Sequence, residues 1–120
     1  MTLHRINPSQ RWSDITIYNG VANFVEIAEC DMPSSIETQT LAVLEQASAT
    51  LKSIGSDKTQ ILTATIYITD FALLDAFNAV WDSWFELGSA PSRACVKVEL
   101  ADPDWFVEIA FTAVAGESFQ

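Results

Sequence analysis

Two periodicities divide the chain. On either side of Asn19-Gly20, a dipeptide that accepts the positive φ angles of a two-residue turn, apolar and polar residues alternate, so Asp14–Tyr18 and Val21–Ile27 predict a β-hairpin. From Ser34 the period lengthens. Ile36, Thr40, Val43, Leu44, Ala47, Leu51 and Ile54 recur at helical spacing and predict an amphipathic helix that ends at Gly55. Ser34 and Glu37 stand at the spacing of a capping box. Alternation returns over Thr59–Asp70, where β-branched residues predict a long central strand. Asp70 is placed to cap a second helix whose face carries Leu73, Leu74, Phe77, Trp81, Trp84 and Phe85, closing at Gly88. Thr2–Ile6 reads as a short edge strand, and Arg93–Leu100 with Trp105–Ala115 as a final hairpin about Ala101-Asp102-Pro103-Asp104.

The order β-ββ-α-β-α-ββ predicts an α/β (α+β) fold in which two helices cover only one face of a sheet of about six strands. The other face is expected to carry Thr63, Thr65, Tyr67, Arg93, Cys95, Glu108, Ala110 and Thr112. That set is too apolar for open water and too polar for a dry core, so another subunit is expected to cover it.

Residues 1–120 suffice for one domain, and a hydrophobic content of 49% supports a single packed core. The longest apolar runs are interrupted well short of a membrane span, and the opening residues lack the apolar region of a secretory signal, so a cytoplasmic protein is expected. The net charge is −10 with only six Lys and Arg, which disfavours a nucleic-acid backbone as partner. A lone arginine in an acidic chain instead suits a small carboxylate.

Arg93 follows Pro91-Ser92 at the head of a strand, sharing a face with Cys95 and Lys97. A hairpin register that pairs residues 93 and 108 sets Arg93 beside Glu108, the acid that interrupts an otherwise apolar strand. The residues alone leave Arg93 open between an anion site and an intersubunit salt bridge, and Cys95 open between an inert buried thiol and a nucleophile. Trp81 and Trp84 read as core. His4 is the only histidine, Cys30 and Cys95 are far apart, and no glycine-rich phosphate loop occurs, so triads, zinc sites and nucleotide cradles are not indicated.

Pro91-x-Arg93-x-Cys95-Val96 followed by Val107-Glu108-Ile109 resembles the signature of the reactive-intermediate deaminase family (RidA, YjgF-like, historically the L-PSP endoribonucleases). Arg11-Trp12-Ser13-Asp14, Gly55-Ser56-Asp57-Lys58 and Trp81-Asp82-Ser83-Trp84 resemble its YoaB-like branch. The resemblance implies a chorismate-mutase-like fold, a homotrimer and a site in each cleft between protomers. It further implies that Arg93 clamps a substrate carboxylate aided by the backbone amide of Cys95, and that Glu108 orients the water attacking a 2-imino or enamino acid, giving a 2-keto acid and ammonia. No metal or organic cofactor is implied. Asn78 matches a family asparagine, and Trp12 stands where the deaminases carry the tyrosine of Gly-Pro-Tyr. Val25-Glu26 stands in place of their Ser-Gly. These departures leave a non-catalytic carboxylate-binding or partner-binding trimer as the alternative, with ribonuclease activity disfavoured by the charge.

Overall fold

In the computed structural model, which describes residues 2–120 and leaves Met1 outside the described residues, Asn19 and Gly20 take φ of 53° and 78°. They join β2 (Ile15–Tyr18) to β3 (Val21–Ile27) with Tyr18 opposite Val21, as the alternation predicts. The short strand β1 (His4–Ile6) adds outside β2, and β3 pairs along its whole length with β6 (Val107–Val114). Beyond β6 come β4 (Ile61–Ile68) and, parallel to it at the edge, β5 (Ser92–Lys97), giving a six-stranded mixed sheet in the order β1-β2-β3-β6-β4-β5.

Helix α1 (Ile36–Ser53) buries every apolar-face position from Ile36 to Leu51 that the periodicity marks, together with Ile54 just beyond its end. Its cap is Ser35 and not Ser34: the helix begins at Ile36, and the Ser35 hydroxyl just before it accepts the Thr38 amide at 3.1 Å. Helix α2 (Leu74–Trp84) is entered through a 3₁₀ turn at Phe71–Leu73, where the Asp70 carboxylate accepts the Ala72 amide at 2.9 Å. At its far end Lys58 donates to the Trp84 carbonyl at 2.6 Å with Nζ 4.8 Å from the Trp84 ring, a cation on the negative end of the helix dipole. The chain from Lys58 to Gln60 is a 3₁₀ turn, so the predicted strand from Thr59 begins only at Ile61. Both helices pack on one sheet face, over Ile17, Phe24, Ile66, Ile109 and Phe111.

The predicted final hairpin does not form. β4 lies between β5 and β6, with Ala64 opposite Arg93 on one side and Phe111 on the other. The β4-α2-β5 segment is a parallel crossover, and the chain then passes over the end of β4 to reach β6. Hydrogen bonds from the Val98 amide to Ile68 and from the Thr69 amide to Phe106 hold that passage. The fully buried Gln39 pins it to α1, donating to the Asp104 carbonyl and accepting the Phe106 amide, each at 2.9 Å.

Insertion of β4 also corrects the predicted faces. Residues opposite one another share a face, so Arg93 and Cys95 lie with Ala64 and Ile66 on the helix side. Thr63, Thr65, Tyr67, Glu108, Ala110 and Thr112 do line the open face, as expected.

Candidate functional site

Arg93 is the second residue of the edge strand and leans over α2. Its Nη2 donates to Asn78 Oδ1 at 2.7 Å, and its guanidinium carbon lies 5.2 Å from the Trp81 ring centre and 5.7 Å from that of Phe77. The side chain nevertheless stays exposed, so its remaining donors face outward. Two residues on, Cys95 is half-buried against the core. Burial pushes its thiol up, with Arg93 opposing more weakly, so the sulfur is a protonated thiol at neutral pH and a poor nucleophile. The Val98 amide faces β4, and strand amides alternate sides. The Arg93, Cys95 and Lys97 amides therefore point to the outer edge of the sheet, where no strand pairs with β5 among the described residues.

Glu108 is half-buried on the open face, flanked by Ile27 of β3 and Tyr67 of β4. Around it the face is largely apolar and partly exposed, with Val25 at 55% and Val96 at 41%. Arg93 and Glu108 thus stand two strands apart on opposite faces, and the predicted contact between them is absent from the protomer.

Trp12 is 66% exposed, on a loop fastened by the Ser9 amide and hydroxyl, which donate to the Trp12 carbonyl at 2.7 and 2.9 Å. It borders a cavity of about 1130 Å³ whose wall includes Asp14, Val25, Glu26, Thr50 and Thr65. That wall runs from the loop carrying Trp12 across β3 and β6 to Thr65 of β4, whereas Arg93 lies on β5, the next strand out. The structure gathers Arg93, Cys95 and Asn78 at one edge, holds Glu108 mid-sheet, and leaves Trp12 on the loop between β1 and β2.

Sequence reasoning passed over Glu26 as a site residue. Glu26 falls on the buried phase of β3, after Ala22 and Phe24, and accepts hydrogen bonds from Thr50 Oγ1 at 2.7 Å and Gln46 Nε2 at 3.1 Å. Burial raises its carboxyl above the ordinary 4.5; the two hydrogen bonds oppose the shift, and Glu29 and Asp14 add to it. The signal was available as an acid at an apolar position of a period-two pattern. No group of three or more His, Cys, Asp or Glu able to hold a metal ion occurs among the described residues.

The model of the endoribonuclease L-PSP family matches residues 2–115. A RutC family protein of Haemophilus influenzae is 41% identical over 114 residues, spanning 94% of this chain and 98% of the relative. The RutC family protein YoaB of Escherichia coli is 37% identical over 113 residues, with the same coverage. The chain belongs to the RidA/YjgF family. A crystal structure of a YjgF family member from Neisseria meningitidis, 36% identical, superposes with a TM-score of 0.90 over 96% of both chains. In this RidA/YjgF chain the Pro91-x-Arg93-x-Cys95-Val96 stretch falls on the outer strand and Val107-Glu108-Ile109 opens β6. Trp12, Val25 and Glu26 all line the cavity.

Proposed function

We propose that the protein hydrolyses small 2-imino or enamino acids to 2-keto acids and ammonia, in the cytoplasm, at clefts between the protomers of a homotrimer. The observation that carries this reading is an exposed arginine held in place by Asn78, Trp81 and Phe77 with donors to spare, in a chain of net charge −10. Such a group suits a planar carboxylate, which accepts two parallel N–H bonds. An outward Cys95 amide two residues along the same edge can add a third. Because Arg93, Glu108 and Trp12 are separated within one protomer, a working site needs a second copy against the open face, whose exposed Tyr18, Val25 and Val96 favour such a cover.

In the reaction, water adds to the carbon of the protonated imine while Glu108 accepts one water proton, giving a neutral carbinolamine. Glu108 returns that proton to nitrogen and then takes the hydroxyl proton as the C–N bond breaks, so the carbonyl forms, and the proton passes to the departing ammonia. An imine is already electrophilic, so positioning and proton handling suffice. A second reading, a carboxylate-binding trimer without turnover, is favoured by Trp12, whose indole offers no hydroxyl where the deaminases have a phenol. Generating imine from serine or threonine with a dehydratase, and timing keto-acid release with and without the protein, separates the two.

A further inference from the structure

Asn78 sits in the middle of α2, where asparagine is a poorer helix former than alanine. Its place on that helix is therefore not explained by helix stability. Phe77, Asn78 and Trp81 lie within one turn and form a single patch under Arg93: two rings beneath the guanidinium and one amide oxygen at its rim. Phe77 and Trp81 are buried and tilted against each other with ring centres 5.7 Å apart, so the bed is rigid. An arginine on an exposed edge strand would otherwise sample many rotamers, and each would have to be given up on binding. The Nη2–Asn78 bond selects one of them and fixes the rotation of the guanidinium over the rings.

We infer that Asn78 is a positioning residue for Arg93: it acts on a carboxylate ligand through the arginine and not by touching the ligand. This rests on Arg93 as the carboxylate clamp, and the test separates failure of either. Pyruvate affinity is measured by ligand-observed NMR for the parent, Asn78→Ala, Arg93→Ala and the double variant, with thermal melts of each. Loss of one hydrogen bond to a charged group should weaken binding about fivefold or more for Asn78→Ala. The same substitution should change nothing in the Arg93→Ala background, and the melting temperature should hold or rise. Asn78→Leu, which keeps the branching at Cγ but has no hydrogen-bonding group, should weaken binding as much as alanine does. In the parent, the Arg93 guanidinium should show slowed rotation in its side-chain ¹⁵N resonances, and in Asn78→Ala it should rotate freely.

An equal loss in both backgrounds would mean that Asn78 contacts the ligand, and undiminished binding by Asn78→Ala with Arg93→Ala defective would remove its role while leaving the clamp. Recovery with leucine would assign the effect to packing. Undiminished binding by Arg93→Ala would overturn the clamp itself. Unchanged guanidinium rotation in Asn78→Ala overturns the inference whatever the affinities.

Discussion

Arg93 and Glu108 stand on opposite faces of the sheet with β4 between them: Arg93 is opposite Ala64, and Glu108 is opposite Tyr67. Neither side chain can reach across a packed strand to serve the other in the same protomer. A reaction that needs both therefore calls for a surface supplied by another copy.

The first expectation is a trimer in solution. Size exclusion coupled to light scattering should give threefold the 13.2 kDa chain mass at micromolar concentration. A monomer there would remove the shared cleft and the site with it.

Arg93→Lys keeps the charge but loses the planar two-pronged donor face and its stacking on Trp81. Binding of pyruvate or 2-oxobutyrate should weaken by about tenfold or more, at about 1.5 to 3 kcal/mol per charge-assisted bond. Cys95→Ala should bind as the parent does, since the proposed clamp uses only the backbone amide there. Calorimetric titration of the three proteins checks both statements.

Gln39 tests the fold near β6. Its amide is fully buried and satisfies the Asp104 carbonyl and the Phe106 amide at once. Gln39→Ala orphans both groups and should cost about 2 to 4 kcal/mol in denaturant unfolding, with hydrogen exchange rising first over residues 101–106.

Much of this architecture was legible in the sequence because its signals are local. Asn19-Gly20 fixed one hairpin, and every α1 position marked by the helical period is buried. The pairing of the last two strands was not legible. Proximity along the chain favours a hairpin from 93 to 108, whereas β5 pairs with β4 through a helix-length crossover that no short-range signal announces. That one insertion moved Arg93 and Cys95 to the helix face, where Asn78 and Trp81 receive the arginine. Glu26 escaped notice for a different reason: its partners Gln46 and Thr50 come from α1, about twenty residues away along the chain.

Glu26 also makes a pH-dependent prediction. Its folded-state carboxyl titrates above the ordinary 4.5, chiefly through burial, so the protonated form supports the fold below that pH and the support is lost as pH rises through the folded value. Glu26→Gln, which cannot ionise, should melt higher than the parent at pH 7, and the gap should close as pH falls below 4.5. Melts across that range check the sign.

The most direct measurement compares keto-acid release in the dehydratase-coupled assay for the parent, Glu108→Gln and a protein-free control. The parent should hydrolyse the imine faster than water alone, and Glu108→Gln should lose most of that acceleration, about 10² to 10⁴ for general-base help, while still binding pyruvate. A parent no faster than the control, or a Glu108→Gln protein as fast as the parent, would contradict the account.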